Sequence, residues 1–387
     1  RLLARSLRYR NFRLYVAGQS ISLTGTWLQR IATLWLAYRL THSAFLLGVV
    51  GFAGQIPTFI LSPFGGVLAD RWNRHRTLLV TQALALAQAA VLAALVLSGG
   101  IDIWHLIVLS AVLGTINALD IPVRQAFIVR MIDRKEDLHN AIALNSSMVN
   151  AARMIGPSLA GILIAAIGEG GCFLVNALSY VPVIAALLAM RIPPEREKPA
   201  NGRVLEGIAE GIRYIRGFAP IRHLILLVGL VSLAGMPYTV LMPVFAADYL
   251  GGGAHTLGFL MAAAGLGALV GTVYLASRRT VRDFARLSGA AAAVFGAGLI
   301  AFARVHVFWI DLLMLFVAGL GMMVQVAGSN TLIQTVVDDD KRGRVMSFFT
   351  MAFMGMAPFG SLLAGSLASR IGSPAAVALG GVACIAG

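Results

Sequence analysis

The feature that most limits this chain is a succession of apolar runs, each about as long as a bilayer is thick. A helix needs roughly 20 residues to cross a ~30 Å hydrocarbon core. Twelve such runs can be drawn, at 14–39, 44–69, 77–98, 103–127, 140–168, 170–190, 221–249, 255–276, 285–304, 307–336, 342–369 and 374–387. Lipid cannot satisfy backbone polar groups, so runs of this kind fold as helices. Charged residues make up 12% of the chain, where a soluble domain carries about 25%. Mean hydropathy is +0.81. The outer surface therefore faces something other than water. The net charge of +14 would suggest nucleic acid in a soluble protein, but here it sits in short clusters between apolar runs. The expected fold class is an all-α polytopic membrane protein.

Those basic clusters alternate in side. One side holds Arg1, Arg5, Arg8, Arg10 and Arg13, then Arg71, Arg74 and Arg76, then Arg130, Arg134 and Lys135. The same side receives Arg191 to Arg222, Arg278 to Arg286, and Lys341, Arg342 and Arg344. Only Arg39, Arg304 and Arg370 fall opposite, while Arg30, Arg124 and Arg153 lie inside spans. Basic loops stay in the cytoplasm, so both termini are expected there, in a bacterial-type inner membrane. A cleavable signal peptide is not expected, because the first span is too long for one. The opening Arg and the short last run lead us to expect a chain that continues at both ends. Cys172 and Cys384 stand far apart in apolar runs, and neither a disulfide framework, a metal site nor a cofactor is expected.

Residues 191–220 divide the runs into two groups of six. Domains are expected at 1–190, an N-terminal six-helix bundle, and 221–387, a C-terminal bundle with an incomplete last helix. In the cytoplasmic linker between them, Val204, Leu205, Ile208, Ile212 and Ile215 recur at helical spacing among arginines, which predicts an amphipathic helix on the inner leaflet. It serves either as a strut or in regulation. The halves also resemble each other. QAFIVRMIDRKEDLHNAIAL…ARMIGPSLAG matches NTLIQTVVDDDKRGRVMSFF…FMGMAPFGSLLAG, each with an acidic-basic loop before a Gly/Pro-rich helix. Such repeats mark transporters that rock two bundles around a midplane site.

The most specific motif is GVLADRWNRHR at 66–76. Asp70 sits at a helix end among cations, a ready centre for ion pairing, and Gly66 admits a neighbouring helix. These residues resemble the signature loop of the major facilitator superfamily, G-x-x-x-D-R-x-x-R-R/K. The resemblance implies a twelve-helix fold of two six-helix pseudo-repeats and an inner gating latch at Gly66, Asp70, Arg71, Arg74 and Arg76. A second motif, RMIGPSLAG, contains Gly156, Pro157 and Gly161 and looks like the Gly-Pro antiporter motif of exporters in that superfamily. Its proline kinks the helix, and the repeat at Gly355, Pro358 and Gly360 makes the bend architectural in both halves. The Arg that proton antiporters of the drug-export branches carry before a glycine of span four is replaced by Ser110, four before Gly114. The stretches TWLQR, LTHSAFLLGVVG, DIPVRQAF and NAIALNSSMVNAARMIGP are similar to the enterobactin-exporter-like branch of transmembrane secretion effectors, related to lysophospholipid transporters and macrolide exporters.

Ionisable groups inside a span are costly and are functional candidates by default. Arg30 and Arg153 fall well inside spans one and five. They suit an anionic head group, which arginine binds bidentately, or they bond to helix carbonyls or to Asn150 and Gln29. Asp120 and Arg124 stand i,i+4 and can pair, as a structural tie or as a proton-coupling site. By resemblance, spans one, four, seven and ten line the path. This adds Gln19, Trp27, Gln29, Asn117, Tyr238, Gln325 and Asn330 as substrate-binding candidates, with Asn150 on span five. Met236, Met322 and Met323 offer soft surface beside them. No HExxH helix, paired aspartates or P-loop is present, so an enzyme or an ATP-driven pump is not expected. The expected function is a secondary active transporter working by alternating access. Its cargo is an amphipathic, anionic small molecule, siderophore- or drug-like, exported in exchange for protons. Transfer of lysophospholipid between leaflets is the alternative. Membrane lipids are the expected surroundings, nucleic acid is not a partner, and a monomer is expected.

Overall fold

A computed structural model of the chain describes residues 2–132, 134–192, 213–278 and 283–387. Within these, the side chains at 2–4, 62–71, 135, 150, 154, 339, 340 and 343 are not described. The described residues form helices and no strand. In chain order they are α1 (Arg10–Thr41), α2 (Ala44–Arg71), α3 (Arg74–Leu97), α4 (Ile103–Ile128) and α5 (Lys135–Ala189). Then come α6 (Ala219–Tyr249, with two π-helical segments), α7 (Ala254–Ser277), α8 (Phe284–Val305) and α9 (Phe308–Val336). The last are α10 (Asp339–Gly355), α11 (Ala357–Ile371) and α12 (Ser373–Ala386). The predicted amphipathic helix of the linker falls on residues 193–212 and lies outside the described residues, except for Ile215.

Local chemistry sets the helix ends. Asn73 caps α3 by accepting from the Arg76 amide at 3.1 Å, and Asp102 caps α4 in a box closed by His105. The long α5 is two spans in one. At Gly168 the backbone takes φ 70° and ψ 175°, a conformation open to glycine, and the chain turns between the runs expected at 140–168 and 170–190. Nine helices among the described residues are long and apolar enough to cross a membrane. One of these, α5, holds two spans, α10 with α11 forms one, and α12 is shorter. The helix missing from the nine is α1, diluted by Arg13, Gln19, Gln29 and Arg30, and it supplies the first span. Large apolar side chains stand exposed along the helices, among them Trp104, Leu188 and Trp309, as expected where lipid is the solvent.

The chain divides into two compact units, Arg1–Leu40 with Ala53–Ala200, and Thr41–Phe52 with Asn201–Gly387. The expected boundary left all of span two in the first bundle, whereas its first turns pack within the second unit. The reason is close approach: Gly48 and Gly51 rest on α11, where a Cβ on Gly48 would lie 3.0 Å from the Gly365 Cα. Phe52 also meets Phe359 edge to face.

In the first unit a core of Phe12, Tyr15, Leu78, Phe127, Met148 and Val183 joins α1, α3, α4 and both limbs of α5. The end of this unit that carries the start of α1 is tied by polar side chains. Ser6 Oγ donates to Asn140 Oδ1 at 2.8 Å, Arg8 pairs with Asp137, and Tyr9 donates to the same carboxylate at 2.7 Å. The carbonyls ending α5 meet His75 at Leu187 (2.7 Å), Arg10 at Ala189 (2.9 Å) and Asn11 at Arg191 (2.9 Å). Helix ends leave carbonyls unsatisfied, so these contacts complete the last turn. In the second unit Phe245, Phe295 and Phe302 are fully buried among α6 and α8. A separate cluster of Ile221, Val228, Ile333, Val345 and Phe349 receives Tyr214 and Phe218 from the chain entering α6.

Candidate functional site

Polar residues of the first unit gather in three clusters. The first lies near the middle of α1 and of the first limb of α5. The Arg30 guanidinium sits over the Trp27 ring at 5.2 Å, and the Arg153 guanidinium is 6.0 Å from the same ring. The two arginines are close enough to repel each other. Arg30 is exposed although its neighbours Gln29 and Ile31 are buried, so its position on the helix face, not its depth, opens it. Gly156 of the Gly-Pro motif forms the floor under Trp27. A Cβ there would meet the Trp27 Cβ and would lie 3.2 Å from its Cγ, so only glycine seats the indole this closely. The motif therefore has a local role beyond its kink: Gly156 positions an aromatic ring beneath two cations. Pro157 and Gly161 follow in the same helix, both buried.

The second cluster is a chain of amide hydrogen bonds that crosses four helices. Asn176 on the second limb of α5 donates to Gln29 Oε1 at 2.6 Å, Gln29 donates to Gln88 Oε1 at 3.0 Å, and Gln88 donates to the Leu109 carbonyl of α4 at 3.1 Å. Hydrogen bonds of this kind hold membrane helices together. Gln29, expected as a cargo or Arg30 contact, instead spends its side chain on this chain.

The third cluster surrounds Asp120, which is buried. Its Oδ1 accepts from Thr81 and from Gln82, both at 2.8 Å, and its Oδ2 faces Arg124 Nη2 at 3.4 Å. The i,i+4 pair forms as its spacing implies, and two residues of α3 join it. Tyr15, Gln19, Leu78, Gln82, Arg124, Val183 and Leu187 line a small cavity beside it. Gln19 therefore belongs to this cluster, buried, and not to the seat around Trp27.

The remaining candidates are dispersed. Asn117 is half-buried on α4. In the second unit Tyr238 is buried against Phe295, with ring centroids 6.0 Å apart. Gln325 is buried on α9 and donates to Ser329 at 3.4 Å, and Asn330 accepts from Gln334. The side chains of Asn150, Gly66, Asp70 and Arg71 lie outside those described. Of the residues expected to form a latch, Arg74 and Arg76 occupy the first turn of α3.

The profile of the transmembrane secretion effector family matches residues 4–387. The chain belongs to this family. It is a multi-pass membrane transporter of the major facilitator superfamily and not an enzyme. Among its relatives, the staphyloferrin A transporter of Staphylococcus aureus (strain NCTC 8325 / PS 47) is 26% identical over 373 residues, covering 93% of this chain and 90% of the relative. The multidrug efflux pump Tap of Mycolicibacterium fortuitum is 26% identical over 361 residues, 90% and 87% of the two chains. Macrolide efflux protein A of Streptococcus pyogenes is 22% identical over 374 residues, 94% and 92%. A bacterial homolog of the human lysosomal transporter Spinster, in an inward-facing, unoccupied conformation, shares the fold. Its TM-score is 0.75 at 15% identity, covering 98% of this chain and 94% of that one. A bacterial homologue of the iron transporter ferroportin has a TM-score of 0.69 at 19% identity, covering 97% and 98%.

Several interactions of this secretion effector escaped the sequence reading. Arg39 and Glu169 form a bidentate pair, at 2.8 and 3.1 Å, tying the end of α1 to the turn at Gly168. Gln88 went unremarked, although an amide in the middle of an apolar helix is itself a signal. Asp311 is fully buried near the start of α9, and neither carboxyl oxygen has a partner among the described residues. A carboxylate in the first turn of an apolar run could have drawn attention to it; its isolation could not be seen without neighbours.

Proposed function

We propose that the protein exports an amphipathic small molecule, siderophore- or drug-like, by alternating access in exchange for protons. The observation that carries this reading is the Trp27 ring beneath Arg30 and Arg153, midway along α1 and α5. An aromatic face with charge above it suits a cargo with an apolar body and a polar head. The names of the relatives, a siderophore transporter and drug and macrolide efflux proteins, support the same cargo class and an outward direction. In this reading both termini are cytoplasmic, two six-helix bundles meet at the 191–220 linker, and Gly66, Asp70, Arg71, Arg74 and Arg76 form the inner latch.

Proton exchange is assigned to Asp120. Its carboxylate joins Thr81, Gln82 and Arg124, so a proton arriving there would loosen the tie between α3 and α4. Charge and helix packing are thereby linked at one residue. Transfer of a lysophospholipid between leaflets is the second reading, because a phosphate would fit the same two arginines.

The test is transport in proteoliposomes with an imposed pH gradient. Wild type is expected to accumulate an amphipathic dye when the gradient opposes cargo flow. Asp120→Asn is expected to abolish that accumulation and to keep gradient-free counterflow. Gradient-driven accumulation that survives in Asp120→Asn would remove Asp120 from coupling, and the absence of dye counterflow in wild type would defeat the export reading.

A further inference from the structure

We propose that the small cavity beside Asp120 is a second seat for the Arg124 guanidinium, with Gln19 and the Gln82 carbonyl oxygen as its acceptors. The side chain takes this seat when a proton neutralises Asp120. The inference rests on the coupling role given to Asp120, and it adds where the released charge goes.

Asp120 uses its two oxygens differently. Oδ1 accepts from Thr81 and from Gln82 Nε2, whereas Oδ2 faces Arg124 Nη2 at 3.4 Å. A proton added at Oδ2 forms an O–H bond there, leaves both Oδ1 contacts in place and ends the ion pair with Arg124. Among the described residues, the charged or titratable groups that act on Arg124 are Asp120 on its own helix, Tyr15 on α1 and Tyr180 on the second limb of α5. The Tyr15 hydroxyl donates to Asn145 at 3.1 Å, and the Tyr180 hydroxyl lies 3.4 Å from that of Thr26. From α3 the pair meets Thr81 and Gln82, neither of which titrates. No second carboxylate among the described residues stands by to receive the guanidinium, and a bare cation inside a span is costly.

The cavity offers acceptors in its place. Arg124 itself lines it, beside Gln19 of α1 and Gln82 of α3. Gln82 Oε1 is buried and has no hydrogen-bond partner among the described residues, while the other end of its amide is turned to Asp120. Gln19 is 3% exposed, and its amide makes no hydrogen bond among the described residues. Buried polar groups are nearly always paired, so two amides short of partners on one cavity call for an explanation. A guanidinium carries five N–H donors and can serve both carbonyls at once. Leu78, Val183 and Leu187 close the rest of the wall. Neutral carbonyls replace only part of what a carboxylate supplies, so the ion pair with Asp120 is the resting arrangement.

The move changes which helices are tied. In the resting arrangement the guanidinium is bound to a carboxylate of its own helix. In the second seat it joins α4 to α1 through Gln19 and to α3 through Gln82. Gln19 stands eight residues before Trp27 on α1, roughly 12 Å at 1.5 Å per residue. A proton received on α4 is thereby felt on the helix that carries the aromatic ring assigned to cargo. Gln19 and Gln82 act as positioning residues for this step.

The experiment uses the full chain, with denaturant unfolding of the purified protein and dye transport in proteoliposomes. Asp120→Asn stands for the protonated state. In that background Gln19→Leu is expected to lower the folding equilibrium constant by roughly tenfold or more, as for the loss of a hydrogen bond to a charged group. In the wild-type background the same change removes an unbonded amide and is expected to shift the constant by no more than about twofold. Equal shifts in the two backgrounds would overturn the second seat and leave the cavity as a place for water. A further measurement needs no Asp120 variant to fold. In Gln19→Leu alone, gradient-driven accumulation relative to gradient-free counterflow is expected to fall roughly tenfold, and an unchanged ratio would overturn the proposal. The two readings fail separately. Accumulation that survives in Asp120→Asn defeats coupling at Asp120, whereas accumulation lost there, with equal shifts in both backgrounds, defeats the second seat alone.

Discussion

Arg124 and Arg30 are both arginines of membrane-spanning helices in the same unit, yet their surroundings differ in kind. Arg124 faces Asp120, whose other oxygen accepts from Thr81 and Gln82, so charge and polar groups are matched within the fold. Arg30 faces a ring and a second arginine. A matched cluster holds helices in register, and its members depend on one another. Arg30, which makes no hydrogen bond or ion pair among the described residues, keeps attraction available to something that arrives from outside. The contrast separates residues that build the unit from residues that the unit presents.

The largest effect is expected at the matched cluster. Asp120→Ala would strand the Arg124 charge and the Gln82 and Thr81 donors, at a cost of about 3–5 kcal/mol in unfolding free energy. Denaturant unfolding of the purified protein would measure it, and a loss below about 1 kcal/mol would show that the network is not structural. A smaller effect is expected in the amide chain. Asn176→Ala removes the bond to Gln29 and leaves Gln29 Oε1 unpaired, for a loss of about 1–2 kcal/mol. The same unfolding assay would resolve it, with Gln88→Ala as a companion that should fall in the same range. The smallest effect is expected at Arg30. Without cargo, Arg30→Ala should change stability by no more than about 0.5 kcal/mol, and relief of repulsion from Arg153 favours a slight gain. Should Arg30→Ala destabilise the protein as much as Asp120→Ala, the distinction between the two clusters would not stand.

Much of the architecture was legible in the residues. The apolar runs foretold the helices, including the division of α5 at Gly168, because hydropathy and glycine freedom are local properties. The i,i+4 pair of Asp120 and Arg124 was legible for the same reason: both partners ride on one helix. Partners on different helices were not legible. Gln29 and Arg30 are adjacent in sequence and looked alike as polar intrusions into span one. The fold turns Gln29 inward to Gln88 and Asn176 and leaves Arg30 open above Trp27. The packing of the first turns of α2 with the second unit was equally hidden, because it depends on Gly48 meeting Gly365 across more than three hundred residues of chain.

The amino-acid order alone established a membrane chain of repeated halves, the extent of its helices and the place of its internal charges along them. These follow from composition read along one dimension, where a run of apolar residues has a single physical solution in lipid. Tertiary structure decided which of those charges are neutralised. That outcome depends on helix rotation and on how closely backbones approach, as at Gly156, where the absence of one methyl group brings Trp27 beneath two arginines.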